Sequence, residues 1–417
     1  MTENRVDYLI AGASHAALAA LEAIRMHDTA GSITVLTKEA NLPYSPTVLP
    51  YVVSGRSAPE TVALRRVDYF AQNNIDFLTG CALRRIDAKG KRAHFSDGEA
   101  IAYGKLLLAT GAAPILPPIP GLRDVTFHVL RTLADATALR AALPQTHAAV
   151  VLGAGLIGMH AAENLAKTGA GVTIVETQPQ VLPGYFDAAA ARIIESAFTA
   201  KGIRLALGSK VERVAPGAEG CTLTLADGTS IQADLLLVAT GVTPVLDYLQ
   251  DTGVATERGI LVDDSMRTNV ADIYAAGDVA QARGFYDDKP VVGGILPDAV
   301  EQGRVAGMAM AGDPALAAYP GSVPLNTYAF FGQQALSVGS QSEGEVVFHD
   351  TDAYKHQYLK IVMKNNRLTG IFGINRPFDP GIMWQLILRR TDLTQVREQF
   401  IAEPRQTARQ LMSRLWR

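Results

Sequence analysis

Residues 148–176, AAVVLGAGLIGMHAAENLAKTGAGVTIVE, decide the fold. An apolar strand, a glycine-rich turn, an alanine-rich helix and a second apolar strand follow one another in this stretch. Gly153, Gly155 and Gly158 form the spacing G-x-G-x-x-G between the first strand and the helix. The glycines permit a tight turn, close approach of a pyrophosphate to the backbone, and close packing of helix on strand. The stretch therefore predicts a Rossmann-type dinucleotide site at a helix N-terminus.

Glu176 ends the second strand of this unit, where a carboxylate accepts hydrogen bonds from the ribose hydroxyls of NAD. A 2′-phosphate would be repelled there, and no arginine follows to hold it, so the sequence favours NADH over NADPH. The alternative is a glycine-rich turn in an α/β domain that binds no nucleotide. The candidate NAD-binding residues are Gly153, Gly155, Leu156, Ile157, Gly158, Glu176 and Gly241.

A second copy of the same pattern occupies residues 6–37. Its turn is degenerate, because Gly12 is followed by Ser14 and Ala17 where glycines would stand. Small side chains still satisfy the packing demand, and a serine hydroxyl can donate to a phosphate. The usual acid is displaced to Glu39. Taken alone, this motif fits a nucleotide site or plain strand–helix packing equally well.

Two further segments echo each other: LLLATGAAP at 106–114 and LLLVATGVTP at 235–244. Each places an apolar strand before Ala-Thr-Gly, so the two halves of the chain are predicted to be built alike. Strand-like segments from Tyr319 onward and a helical end predict a third, α+β domain. The expected fold class is α/β, with two Rossmann-like domains and a C-terminal α+β domain. The predicted domains are 1–118 with 245–318, then 119–244, then 319–417.

Composition excludes several classes of protein. The 417 residues carry a net charge of -3, which gives no electrostatic basis for binding nucleic acid. The two cysteines, Cys81 and Cys221, form no CxxC pair, which argues against a disulfide scaffold, a metal site or an iron–sulfur cluster and favours the cytoplasm. The N-terminus carries Glu3 and Asp7 and is not expected to be a signal peptide. The uncharged stretch 106–122 is broken by prolines, so no membrane span is expected.

The segments DIYAAGDVAQ at 272–281 and LPDAVEQGRVAGMAM at 296–310 complete a set of motifs. Together with both turns and both Ala-Thr-Gly segments, this set resembles the two-dinucleotide flavoprotein reductases. That family includes ferredoxin and rubredoxin reductases, the flavin part of NADH-dependent nitrite reductase, and coenzyme A disulfide reductase. Residues 44–56 are also similar to the FAD subunit of 2-oxoacid:acceptor complexes of the phenylglyoxylate dehydrogenase type.

The resemblance implies that FAD and NAD(H) are the cofactors and assigns roles to several residues. Gly12, Ser14, His15 and Ala16 would hold the FAD pyrophosphate. Asp278 would bond to the ribityl or phosphate region. Residues around Ala299 would present a helix N-terminus to the flavin pyrimidine ring. The full candidate FAD set is Gly12, Ser14, His15, Ala16, Lys38, Glu39, Pro46, Ala109, Thr110, Gly111, Arg131, Gly277, Asp278 and Ala299.

Two positions depart from the family pattern. Thr47 stands where disulfide-type relatives carry a redox cysteine, and a hydroxyl forms no disulfide or sulfenate. His160 stands where relatives place a glutamate. The resemblance places this histidine close to the point where nicotinamide and flavin meet, as a candidate catalytic residue that tunes the flavin or contacts the nicotinamide. The alternative is a packed helix histidine, and both interpretations stay open.

The sequence thus predicts an FAD-dependent NADH oxidoreductase that exchanges electrons with an external iron–sulfur protein or subunit, as part of an oligomer or complex. A free-standing NADH oxidase and a non-enzymatic FAD-binding assembly or sensor protein are the alternatives. Residues 404–417, PRQTARQLMSRLWR, form a basic amphipathic helix, with Ala408, Leu411, Met412, Leu415 and Trp416 at helical spacing. This helix would either dock on an acidic partner or cover the chain's own C-terminal domain.

Overall fold

The described residues, 5–415 in a computed structural model, form an α/β protein with parallel sheets, as the sequence predicts. In chain order the strands are β1 (Arg5–Ala11), β2 (Ile33–Leu36), β3 (Ile75–Leu78), β4 (Leu83–Asp87), β5 (Arg92–Phe95), β6 (Ala100–Leu108), β7 (Ala112–Pro114), β8 (Ala148–Leu152), β9 (Gly171–Val175), β10 (Arg204–Ala206), β11 (Val211–Gly217), β12 (Gly220–Leu225), β13 (Ser230–Ala233), β14 (Leu235–Val238), β15 (Val242–Pro244), β16 (Ile260–Leu261), β17 (Ile273–Ala275), β18 (Ala280–Arg283), β19 (Pro290–Val291), β20 (Leu325–Phe330), β21 (Gln333–Gly339), β22 (Glu345–Asp352), β23 (Gln357–Lys364) and β24 (Arg367–Ile374). The helices are α1 (His15–His27), α2 (Leu49–Val53), α3 (Val67–Gln72), α4 (Leu133–Ala142), α5 (Leu156–Lys167), α6 (Ala188–Thr199), α7 (Leu296–Ala311), α8 (Pro380–Leu388), α9 (Arg397–Ala402) and α10 (Pro404–Leu415).

The chain divides into two compact units, each assembled from three separate segments. Unit 1 consists of residues 1–45, 62–113 and 243–323, and unit 2 of residues 46–61, 114–242 and 324–417. The division into three domains expected from the sequence stays a prediction. Across the described residues, no helix combines the length and the hydropathy needed to cross a bilayer.

Unit 1 is built on a parallel sheet in the order β3-β2-β1-β6, extended by β17 beside β6. Strands β4 and β5 continue from β6 in antiparallel fashion. Helix α1 is rich in alanine, and α7 crosses it where Gly303 and Gly307 face the backbone at Ala16 and Ala20. A Cβ at either glycine would overlap a carbonyl oxygen of α1, so these glycines let the two helices approach closely.

Unit 2 repeats this plan over residues 114–242, with parallel strands in the order β10-β9-β8-β14 and an antiparallel β11-β12-β13 sheet. Corresponding hydrogen bonds recur in the two units. The amide of Gly12 donates to Leu36 at 2.8 Å, and that of Gly153 donates to Val175 at 2.8 Å. Each bond ties the glycine-rich turn to the end of the neighbouring parallel strand. The predicted likeness of the two halves is therefore present in their backbones.

The C-terminal part of unit 2 is an antiparallel sheet in the order β20-β21-β24-β23-β22, followed by short helices. The helical end predicted from the sequence begins at Met383 and continues beyond Phe400, but the structure interrupts it. Helix α8 ends at Leu388, and Arg390 adopts a φ of +48°, which no α-helix accommodates. The local charge and apolar spacing carry no signal of this break.

Helix α10 covers its own domain, which is one of the two interpretations left open by the sequence. Ala408 is fully buried and Met412 is nearly so, both on the side that packs against α8 and α9. On the exposed side, Arg405 and Arg409 form ion pairs with Asp379, the residue that precedes α8. Trp416, part of the predicted apolar face, lies outside the described residues.

Candidate functional site

The glycine-rich turn of unit 1 requires glycine for two separate reasons. Gly12 has a φ of +120°, a conformation that L side chains rarely adopt. A Cβ on Gly12 would also overlap the carbonyl oxygen of Ala109, which follows β6. The turn is therefore a cradle that no other residue can form. It leaves the N-terminus of α1 open to a ligand.

Two helix N-termini converge beside this cradle. Ser14 precedes α1 and its side chain forms no capping hydrogen bond. A Cβ on Gly277 would lie 3.2 Å from the Cβ of Ala16 in α1 and 3.7 Å from that of Ala299 in α7. The first turns of α1 and α7 thus meet at the turn that carries Asp278. Convergent free N–H groups and helix dipoles favour the binding of an anionic ligand, such as the pyrophosphate of FAD.

His15 lies in the first turn of α1, and its Nε2 atom is 2.9 Å from the hydroxyl oxygen of Ser45. Burial lowers the pKa of His15, and the positive charge of Arg65 lowers it further. Asp278 acts in the opposite direction. The imidazole is therefore neutral at pH 7, and it offers a hydrogen bond without a charge.

The other predicted FAD residues of unit 1 line the ends of parallel strands. Lys38 is exposed after β2, and Glu39 accepts a hydrogen bond of 2.7 Å from the Tyr44 hydroxyl. After β6, the hydroxyl of Thr110 lies 2.7 Å from that of Tyr248, and Gly111 has a φ of +70°. Side chains at the carboxyl ends of parallel strands line the crevice where ligands bind in this type of sheet.

Pro46 and Arg131, which were assigned to FAD by resemblance, belong to unit 2. Pro46 begins a short 3-10 helix, Pro46–Val48. The backbone amide of Arg131 donates to the carboxylate of Asp135 at 3.1 Å, in the turn before α4. The structure does not bring these two residues together with the others within one unit, and their role stays a prediction.

The glycine-rich turn of unit 2 has the geometry that its sequence predicts. Gly153 has a φ of +103°, and a Cβ there would overlap the carbonyl oxygen of Ala239. Gly155 precedes α5 with open space around it, and Ile157 in the first turn is partly exposed. A Cβ on Gly158 would overlap the carbonyl of Gly153, so glycine is needed there for close packing. Gly241, after β14, has a φ of +113°.

Glu176 lies at the end of β9, next to this turn. Its carboxylate accepts hydrogen bonds from the backbone amides of Ala154 at 2.7 Å and Gln178 at 2.8 Å, and from the Thr177 hydroxyl at 3.1 Å. A half-buried carboxylate with three donors is held in one orientation. This orientation suits acceptance of hydrogen bonds from a ribose diol.

We expect replacement of Glu176 by alanine to lower kcat/KM for NADH by about 10- to 100-fold, the cost of a lost charge-assisted hydrogen bond of about 1–3 kcal/mol. The loss for NADPH should be smaller, because the repulsion of the 2′-phosphate disappears. Steady-state kinetics with both nucleotides measures the ratio. Glu212→Ala, an exposed position on β11, is the matched control. Preference of the unaltered protein for NADPH would contradict this assignment.

His160 lies in α5 and packs edge-to-face on Tyr328 of β20, with ring centroids 4.7 Å apart and planes at 90°. Burial lowers its pKa, so the ring is neutral at pH 7. Nearby, Glu163 is buried, pairs with Lys167 at 2.6 Å and accepts the amide of Phe331 at 3.0 Å. These contacts are those of a packed helix histidine in unit 2. A catalytic role for His160 stays a prediction.

Neither cysteine has the surroundings of a reactive thiol. Burial raises the pKa of Cys81, and its neighbour Asp97 raises it further. Burial raises the pKa of Cys221 as well. Both thiols therefore stay protonated and unreactive at pH 7. Thr47, which the resemblance predicts to stand at the position of the family's redox cysteine, lies in the 3-10 helix Pro46–Val48.

Thr47→Ala should keep at least about half of the NADH-dependent dye reduction, because no covalent sulfur step passes through this position. Turnover and bound FAD are measured on the same preparation. Ser57→Ala is the matched control, because it also removes a hydroxyl group from the segment 46–61 of unit 2. A collapse of turnover with FAD still bound would show that Thr47 takes part in the reaction.

Sequence reasoning missed several residues that shape the unit 1 site. Ser45 contacts His15, Tyr248 contacts Thr110, and the Gln302 side chain accepts the amide of Gly277 at 2.8 Å. The partners are up to 138 residues apart in the chain. Ser45 and Gln302 stand in segments that the resemblance had marked, whereas Tyr248 does not. Groups of His, Cys, Asp and Glu that could hold a metal ion are absent among the described residues.

Comparison with known proteins agrees with this geometry. Residues 6–306 match the pyridine nucleotide-disulphide oxidoreductase family. The epsilon subunit of NADH-dependent phenylglyoxylate dehydrogenase from Aromatoleum evansii is 56% identical over 417 residues, covering 99% of both chains. An NADH oxidase from Methanocaldococcus jannaschii is 32% identical, over 73% of this chain and 70% of its own. The crystal structure of a ferredoxin reductase from Rhodopseudomonas palustris superposes with a TM-score of 0.81 at 26% identity, covering 89% of this chain and 91% of that one.

The family binds FAD and NAD(H), and the two glycine-rich turns fit this pair. The turn of unit 1 offers two converging helix N-termini, and the turn of unit 2 adds the oriented carboxylate of Glu176. Both turns require glycine at the first position, as close approach of a pyrophosphate demands. The chain therefore belongs to the pyridine nucleotide-disulphide oxidoreductase family and is an oxidoreductase that uses FAD and NAD(H).

Proposed function

We propose that this chain is the flavoprotein subunit that exchanges electrons between NAD(H) and an external iron–sulfur protein or subunit, within a 2-oxoacid dehydrogenase complex of the phenylglyoxylate type. The observation that carries the proposal is the 56% identity to the Aromatoleum evansii subunit over 99% of both chains. Identity spread over the whole length includes the C-terminal sheet and helices. The proposal therefore covers both compact units.

In this proposal FAD is held in unit 1. The turn at Gly12 and the first turns of α1 and α7 bind its pyrophosphate and ring system, and Asp278 accepts hydrogen bonds from its polar chain. His15, being neutral, donates or accepts without adding charge. When bound, FAD accepts two electrons together and can release them singly, and the protein supplies binding, orientation and electrostatics.

NADH is held in unit 2. The free amides at the start of α5 bind its pyrophosphate, and Glu176 orients the adenosine ribose. The open space at Gly155 lets the ligand reach the backbone. These residues fix the nucleotide in one orientation, which is their contribution to the rate.

An external acceptor is required by the composition of the chain. Two cysteines with raised pKa values supply neither a redox disulfide nor the four thiolates of a cysteine-ligated iron–sulfur cluster. Electrons that enter from NADH therefore leave to another protein or to oxygen. Because electron transfer is reversible, flow from a reduced iron–sulfur partner to NAD⁺ uses the same two sites.

A free-standing NADH oxidase is the second candidate, favoured by the 32% identity to the Methanocaldococcus jannaschii enzyme. Thr47 argues against the cysteine-assisted form of that reaction. A non-enzymatic FAD-binding assembly or sensor protein is the remaining alternative.

Steady-state NADH consumption separates the three candidates. The purified protein should be yellow, release FAD and not FMN, and reduce a one-electron dye much faster than oxygen. Co-purification from the native source should recover an iron–sulfur subunit that replaces the dye. Rapid oxygen consumption without any partner would establish the oxidase instead. Bound FAD that NADH does not reduce would favour the assembly or sensor protein.

A further inference from the structure

A buried acid lies in the first turn of α7, beside the turn that carries Asp278. Asp298 is 3% exposed, and its carboxylate accepts a hydrogen bond from the Ser322 hydroxyl. A Cβ on Gly293 would overlap the same carboxylate, so a glycine backbone closes one side of the group. No positively charged side chain contacts this carboxylate among the described residues. An unpaired charge in such a place is costly, and the group is stabilised when protonated.

The neighbours of Asp298 are a polar cluster within unit 1. The Tyr319 hydroxyl is buried and finds no hydrogen-bond partner of good geometry among the residues that the structure describes. It lies close enough to Asp298 and Gln302 for both side chains to influence its pKa. Gln302 in turn accepts the amide of Gly277, the residue before Asp278. The cluster therefore connects the buried acid to the turn at the helix N-termini.

The raised pKa values of Asp298 and Tyr319 agree with the burial of both groups. Burial raises the pKa of Asp298 most strongly, Ser322 and Tyr319 lower it, and the negative charge of Asp278 raises it, so that the net pKa is about 7. Burial raises the pKa of Tyr319, and so does the charge of Asp298, so the phenol stays protonated. A change in nearby charge therefore shifts the protonation of Asp298 near neutral pH.

We propose that the carboxyl group of Asp298 takes up a proton from solvent when the FAD site beside α7 gains negative charge, and releases it when that charge leaves. The inference rests on the proposed function, which places FAD in unit 1. The charges in this step balance. A hydride from NADH carries two electrons and one proton, so reduction adds one negative charge to the site. The added proton converts the Asp298 carboxylate to the acid and restores the net charge.

Asp298 is thus a positioning residue, since it sets the electrostatic potential at the N-terminus of α7 without touching the reacting atoms. While ionised, the carboxylate opposes the positive end of the helix dipole. Once protonated, it leaves that dipole free to stabilise the added negative charge. Proton uptake by the protein and electron uptake by the site therefore support each other.

The first test measures the midpoint potential of the bound FAD against pH. One pH unit is a tenfold change in proton activity, which for a two-electron couple shifts the potential by about 30 mV per proton. Near neutral pH the midpoint potential of the unaltered protein should fall more steeply with pH than that of Asp298→Asn. The difference in slope should be up to about 30 mV per pH unit, which corresponds to one proton. Glu301→Gln, on the same helix and paired with Arg304, is the matched control and should keep the steeper slope. Equal slopes for all three proteins would overturn the proposal.

Ser322→Ala is the second variant, since it keeps the carboxyl group and removes its donor. The pH range of the steep slope should move upward, because the Ser322 hydrogen bond lowers the pKa of Asp298. An unmoved range would contradict the role of the cluster.

The apoprotein provides a test that needs no FAD. A group whose pKa is raised on folding stabilises the fold at low pH, and this contribution is lost as the pH rises through about 7. The free energy of unfolding should therefore fall from about pH 5 to about pH 8 in the unaltered apoprotein and fall less in Asp298→Asn. A protein that shows this difference but is not reduced by NADH would contradict the proposed function alone. A protein that is reduced normally without this difference would contradict the role of Asp298 alone.

Discussion

Gly12→Ala should yield a folded but colourless protein. The added Cβ meets the carbonyl oxygen of Ala109 in a backbone conformation with a φ of +120°, so turn and strand must move apart. Strain of about 3 kcal/mol at this turn would weaken FAD binding by at least about 100-fold. FAD content is read from the visible absorbance of the purified protein and from the flavin released on denaturation.

The matched control is Gly98→Ala, which lies in the same unit. Gly98 has a φ of +89°, but a Cβ there meets nothing within 4 Å. It therefore carries the strain of the left-handed conformation without the collision, and it should retain FAD. Full FAD content in Gly12→Ala would show that the cofactor does not bind at this turn.

Gly153→Ala should impair the use of NADH and leave FAD bound, which is the opposite of the result expected for Gly12→Ala. The Cβ would overlap the carbonyl oxygen of Ala239 and lie 2.9 Å from its carbon, at a φ of +103°. The protein should stay yellow, since the turn of unit 1 is untouched. Its rate of reduction by NADH at low nucleotide concentration should fall by about 100-fold, from strain of about 3 kcal/mol.

Rapid-mixing absorbance measurements of flavin reduction at several NADH concentrations test this result. A chemical reductant such as dithionite should bleach the variant as completely as the unaltered protein, because FAD itself is intact. Gly169→Ala, with a φ of +92° and open space, is the control in unit 2. Normal reduction of Gly153→Ala by NADH would place the nucleotide elsewhere.

The parts of the site that were predictable are those built from local sequence. A glycine-rich turn between an apolar strand and a helix fixes its own backbone, so Gly153, Gly155 and Gly158 are identifiable without any tertiary information. The turn at Gly12 was ambiguous because its local sequence has Ser14 and Ala17 where the second and third glycines would stand. Its requirement for glycine comes from Ala109, a residue nearly a hundred positions away.

The Asp298 cluster lay beyond the reach of the sequence. An aspartate in the first turn of a helix is ordinarily a solvated group that complements the helix dipole. Its burial depends on Gly293, Tyr319 and Ser322, which no periodic pattern connects. Helix α10 shows the same limit, since an amphipathic pattern reveals that one face is covered and does not identify what covers it.

The division of unit 1 into three chain segments has a consequence for protein synthesis. Strand β17 pairs with β6, and helix α7 packs on α1, so unit 1 is incomplete until the segment 243–323 has left the ribosome. Contacts between residues far apart in the chain slow folding and expose apolar surface meanwhile. The nascent chain therefore completes unit 1, with its proposed FAD cradle, only after the segment 243–323 has been made, and we expect cofactor capture to follow that step.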